Sequence, residues 1–187
     1  MSSVGVGRPE AKAEAMGAQD SVCPGCGLRL PRSAAARYNG YYSTSPECWG
    51  VYAEVLAKEF SHALLFGEVH QLTVDAYAAQ HAGGRHPDKS VIIHLCGLHL
   101  VLDRGFPPAN ISALHQRLAR TVRDWPHLPP PADMSALTVA DVARAESIQD
   151  HARLARDWAV SVWRSWSPHH QTISRFVAEH LGMDRIA

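Results

Sequence analysis

The stretch Ser45-Pro46-Glu47-Cys48-Trp49-Gly50-Val51-Tyr52 opens the first helix of the chain, and the fold can be read outward from it. Ser45 is a capping residue, Pro46 suits the first helical position, and Glu47 sets an acid against the positive end of the dipole. From there Trp49, Tyr52, Leu56, Phe60 and Ala63 recur at helical spacing, which predicts a helix over 46–66. Cys48 falls in its first turn. Unpaired amides and the helix dipole favour a thiolate there, the form that binds metals.

Upstream lies Cys23-Pro-Gly-Cys26-Gly27, a zinc knuckle in composition and shape. Two thiolates three residues apart can converge on one ion because Gly25 and Gly27 let the backbone turn beneath them. With Cys48, three of four tetrahedral ligands are in hand. The fourth must be a residue that the topology returns to the start of the first helix. His62 stands fourteen residues along that helix, about 21 Å away, and is excluded if the helix is continuous. His70 lies in the turn at its far end. An antiparallel second helix brings its last residue, His81, back toward Cys48, with His86 in the adjoining loop. The expected site is therefore zinc held by Cys23, Cys26, Cys48 and His81, with His86 as the second choice and His70 behind it. Three thiolates and one imidazole leave no vacancy for a reacting water, so such a site is structural. Its binding free energy, on the order of 10 kcal/mol or more, would go into ordering the irregular segment between Cys23 and Cys48.

Downstream the helical pattern continues. A second helix is expected with Thr73 as its cap and Asp75 in its first turn, placing Val74, Tyr77, Ala78 and His81 on one face. Gly83-Gly84 interrupts it. A third, apolar over most of its circumference, runs over 87–104 to Gly105, and a fourth over 110–125 sets Ile111, Leu114, Leu118, Val122 and Trp125 opposite Arg117, Arg120 and Arg123. Four prolines within 126–133 make an extended strap. A short helix follows Thr138, a longer one over 147–166 carries Ala155, Trp158, Val162 and Trp166, and Pro168 opens the last. No run alternates with period two over strand length. The fold class is mainly α: a bundle of about five to seven helices with an N-terminal zinc knuckle packed on it. The domain organisation is a disordered tail over 1–20 and a single helical domain over 21–187 that includes the knuckle, 23–48.

Composition narrows the function classes. The 187 residues carry 18 basic and 18 acidic side chains, and a balanced count supplies no cationic footprint for nucleic acid or an anionic membrane. The longest apolar run, Val91 to Leu102, is well short of the roughly 20 residues that cross a bilayer. Arg8, Glu10, Lys12 and Glu14 stand where a signal peptide needs an apolar core, so a cytoplasmic protein with reduced thiols is expected. Of twelve histidines, half lie between His62 and His99.

Two further groups bear on function. His94, near Tyr77 if the second and third helices pack, could join Asp75 and His70 around a catalytic metal or as an acid/base pair. Helix packing alone also explains His94 as a bonded core histidine and Asp75 as a first-turn acid. Near the C-terminus, Trp163, Trp166, His169 and His170, with Trp158, could wall a pocket for a small molecule or a protein, or could be core. Cys96, within an apolar helix, reads as a packing thiol.

The motifs Cys23-Pro-Gly-Cys-Gly, Ser45-Pro-Glu-Cys-Trp, Thr73-Val-Asp-Ala-Tyr-Ala-Ala-Gln-His81, His94-Leu and Trp163-Arg-Ser-Trp-Ser-Pro-His-His170 span nearly the whole chain after the tail. In them the chain resembles an uncharacterised bacterial domain-of-unknown-function family with an N-terminal Cys-Pro-x-Cys-Gly zinc knuckle and a Val-Asp-x-Tyr-x-x-Gln-His motif. The resemblance brings no activity with it. Ala82 stands where the family often has proline. Two functions are therefore expected to compete: a binding or regulatory module stapled by zinc, and a small metal-dependent or acid/base enzyme built around Asp75, Tyr77 and His94.

Overall fold

A computed structural model describes residues 20–38 and 40–182. Expectations for the tail over 1–19 lie outside these residues, whereas Asp20, counted with the tail, belongs to a strand. The protein is mainly helical, as the periodicity predicts. Helix α1, Pro46–Phe60, begins as read: the Ser45 side chain accepts from the backbone N–H of Cys48. It ends earlier than predicted. The Ser61 N–H caps the Ala57 carbonyl and its hydroxyl bonds the Lys58 carbonyl, a local competition that closes a helix. An extended His62 then starts α2, Ala63–Glu68. The break turns Leu65 fully inward while Phe60, Leu64 and Phe66 stay exposed.

Helix α3, His70–Gln80, begins three residues before the predicted cap. Thr73 is an interior residue whose hydroxyl donates to the Glu59 carboxylate at 2.6 Å, so it caps nothing. Asp75 is accordingly mid-helix and fully buried, not a first-turn acid. Beyond Gly83 and Gly84, both at positive φ, come α4, Asp88–Leu102, and α5, Ile111–Thr121, the latter entered through a 3-10 turn at Pro108–Asn110. The proline strap leads to α6, Val139–Ala143, whose capping box pairs Thr138 with Asp141. Helix α7, Ile148–Ser165, is capped by Ser147. A 3-10 turn at Ser167–His169 leads into α8, His170–Leu181, which ends on the left-handed Gly182. The division of the first helix brings the count to eight among the described residues.

The sequence reading missed one sheet. Strands β1, Asp20–Val22, and β2, Arg29–Pro31, pair antiparallel on either side of the knuckle. Three residues are too few to display an alternation, so periodicity carries no signal there.

Helix α3 is the centre of the molecule, packed chiefly on α4 and α7. Leu72, Ala76, Tyr77, Ile92, Leu95, Leu98 and Trp158 are buried around it. Gln80 ties three parts together: its carbonyl oxygen accepts from the Trp158 indole at 3.0 Å, and its amide donates to the Leu137 carbonyl at 2.8 Å. The three indoles of the C-terminal aromatic group, Trp158, Trp163 and Trp166, are buried in this core. Trp166 is fully buried and donates to the Ala79 carbonyl, and Trp163 donates to Asp103. His170 stacks on Trp163 with ring centroids 3.8 Å apart, and His169 bonds the Pro129 carbonyl on the strap. No described helix is long and apolar enough to cross a membrane.

Candidate metal centre

The knuckle is a tight backbone turn. The Gly27 N–H bonds the Cys23 carbonyl, the Cys23 N–H bonds the Leu28 carbonyl, and Gly27 takes a φ of +72°, which suits glycine. Gly25 is needed for a different reason. A side-chain carbon there would lie 2.4 Å from the Ser43 carbonyl oxygen and 2.7 Å from His81 Cδ2. The turn thus sits directly on the segment before α1 and on the C-cap of α3. Ser43 in turn donates its N–H to the His81 carbonyl at 3.0 Å.

This arrangement brings Cys23, Cys26, Cys48 and His81 together, with one ligand atom of each within 4.8 Å of all the others. Cys26 Sγ and Cys48 Sγ are 3.8 Å apart, and Cys48 Sγ is 3.5 Å from His81 Nε2. A tetrahedral ion with metal–sulfur bonds of about 2.3 Å and a metal–nitrogen bond of about 2.0–2.1 Å has edges of about 3.8 Å and 3.5 Å. The donor set therefore fits such an ion in chemistry and in size. His81 Nδ1 donates to the Tyr77 carbonyl at 2.8 Å, which fixes the tautomer that leaves Nε2 as a donor to metal.

Electrostatics point the same way. Cys26 is driven well above the ordinary thiol range by the hydrogen bond its thiol donates to the neighbouring Cys23 sulfur, then by Cys48 and by burial. Cys23, which receives those hydrogen bonds, is held well below it. Burial would lower His81, but the adjoining Cys23 and Cys48 sulfurs outweigh it and raise it to about 9. Crowded sulfurs that resist joint ionisation are the arrangement a divalent cation relieves.

Neither alternative fourth ligand reaches this group. His86 Nε2 pairs with the Ser90 hydroxyl at 2.8 Å, and His70 Nδ1 lies 2.9 Å from the Glu59 carboxylate. Two other expectations are corrected. Tyr77 does not face His94: its hydroxyl bonds Thr44 Oγ1 at 2.8 Å and approaches Cys48 Sγ at 3.7 Å, so it supports the cysteine cluster. His70, joined to Glu59 along with Thr73 and His151, belongs to a separate buried polar node. Cys96 is a packing thiol, buried in α4, with burial pushing it up.

Asp75 and His94 do meet, as expected, and a residue that the sequence reading passed over joins them. His94 Nδ1 is 2.8 Å and His115 Nε2 3.9 Å from Asp75 Oδ1. Burial pushes Asp75 up to about 7 against the pull of His115, and it lowers His94 to about 4. A signal for His115 was present: it lies one turn from Ile111 and from Leu118 on the apolar side of α5, where a polar residue needs a partner.

Helices packed around a central α3, with a Cys3His cluster at the C-terminal end of that helix, define a helical protein with a candidate metal centre. The chain belongs to DUF5946, a family of unknown function, whose family model matches residues 21–167. No curated protein and no solved structure matches it.

Proposed function

We propose that this protein is a zinc-stapled helical module in which Cys23, Cys26, Cys48 and His81 hold one structural zinc ion, within a single domain over 21–187. The observation that carries this reading is the match of the Cys26–Cys48 and Cys48–His81 separations to edges of a tetrahedron, with Cys23 in reach of the same point. Four protein donors fill the coordination shell, so the metal has no open position for substrate. Its work is mechanical: it joins the hairpin of β1 and β2, the first turn of α1 and the end of α3. A binding or regulatory role for the module is supported by Phe60, Leu64 and Phe66, which are 64%, 59% and 49% exposed around the break between α1 and α2. Apolar side chains grouped in this way suit a protein partner.

The reading is tested by alkylating the thiols before and after chelation. With metal bound, all four cysteines resist modification. After chelation Cys23, Cys26 and Cys48 become reactive while Cys96 stays protected by burial. Thiols that react equally in both conditions would overturn the assignment. The competing enzyme reading keeps Asp75 and His94, exchanges Tyr77 for His115, and rests on their convergence.

A further inference from the structure

Asp75 is fully buried at the middle of α3, and its two carboxylate oxygens have unlike surroundings. Oδ1 accepts from Gln71 Nε2 at 2.9 Å and lies beside His94 Nδ1. Oδ2 is buried with no hydrogen-bond partner, and so is His115 Nε2. These two orphaned atoms face each other across Gly97 of α4. A side-chain carbon on Gly97 would lie 2.1 Å from Asp75 Oδ2 and 2.6 Å from His115 Nε2. Glycine inside a helix costs about 1 kcal/mol relative to alanine. Here it lets a carboxylate and an imidazole, from α3 and α5, come against the backbone of α4.

We propose that Asp75, His94 and His115 form a second metal site, for a divalent transition-metal ion, with coordination positions left open. Two imidazoles and one carboxylate are the donor set of open, exchangeable centres, unlike the closed Cys3His set. The separations suit this. In a six-coordinate shell at 2.0–2.2 Å, neighbouring donors are about 3 Å apart and opposite ones about 4 Å, against the 2.8 Å and 3.9 Å measured from Asp75 Oδ1. An ion held by both carboxylate oxygens would give the orphaned Oδ2 and His115 Nε2 the partner that buried polar atoms require. His94 lines a cavity of about 200 Å³ with Tyr41, Pro87, Lys89, Ser90 and Ile93, so one member of the trio borders open space.

Titration of the metal-free full-length protein with cobalt(II) separates the two sites. Cobalt bound by thiolates gives sulfur-to-cobalt charge-transfer absorption, and cobalt bound by nitrogen and oxygen alone gives only ligand-field bands. The expected result is two equivalents bound, one with charge transfer and one without. His115→Gln should weaken the second equivalent by at least ~100-fold, the upper end of what losing a mere supporting partner costs, while the charge-transfer equivalent is unchanged. Absence in the wild-type protein of any equivalent free of charge transfer would overturn the proposal, as would such an equivalent that His115→Gln leaves intact. If His115→Gln fails to fold, the wild-type titration still decides. Absence of the charge-transfer equivalent alone would count against the zinc staple and not against this site.

Discussion

At the scale of single residues, the metal centre depends on a side chain that is missing. Gly25 lets the knuckle lie against the Ser43 carbonyl and the edge of the His81 ring, at separations no methyl group can share. Gly25→Ala must push the knuckle off both, and overpacking of this kind costs on the order of 1–3 kcal/mol. Because the strain falls on the liganded geometry, Gly25→Ala is expected to weaken zinc binding by about tenfold or more, measured by competition with a chromophoric chelator. An unchanged affinity would contradict the packing described. The convergence of Cys23, Cys26, Cys48 and His81 was readable from chain spacing, because a knuckle, a capped helix start and an antiparallel return leave few histidines in reach. Tyr77 was misplaced because the helical period fixes a face but not which neighbour that face meets. His115 was overlooked because its partner, Asp75, lies 40 residues away on another helix.

At the scale of elements, Glu59 joins three helices. It lies in the last turn of α1 with no exposed surface, and its carboxylate takes His70 at 2.9 Å, Thr73 at 2.6 Å and His151 at 3.0 Å, bringing in α3 and α7. Burial alone would raise its pKa, but hydrogen bonds from His151, His70 and Thr73 outweigh it, and Glu59 is held below the usual carboxylate range. Removing one partner of a buried charged network typically costs 3–5 kcal/mol. Glu59→Ala should therefore lose about 3–5 kcal/mol of unfolding free energy in a urea titration, and a loss under about 1 kcal/mol would show that the node does not bind the helices together. This node explains why the first helix was read too long. The apolar period runs through Ser61 and His62, yet the chain breaks there because Glu59 is anchored inward and the Ser61 hydroxyl takes up a terminal carbonyl. Helices α4 and α7 were legible to within two residues, since their start and stop signals are local. Helix α3 was not, because it follows α2 directly through Val69, with neither a side-chain cap nor a proline to mark its start.

At the scale of the whole molecule, the helical bundle and the hairpin are organised differently. The bundle has a continuous apolar core around α3. The segment from β1 to α1 has two three-residue strands and an irregular stretch, and it meets the bundle through the cysteine cluster and the aromatic group of Tyr42, Trp49, Tyr52 and Tyr77. The proposed ion at that junction would contribute folding free energy where the two parts meet. The most direct test is X-ray absorption at the zinc edge on protein carrying one equivalent of zinc, so that the tighter site alone is read. The account predicts a shell of three sulfurs at about 2.3 Å and one imidazole nitrogen at about 2.0–2.1 Å. A shell without sulfur, or one completed by an oxygen from solvent in place of the imidazole, would contradict it.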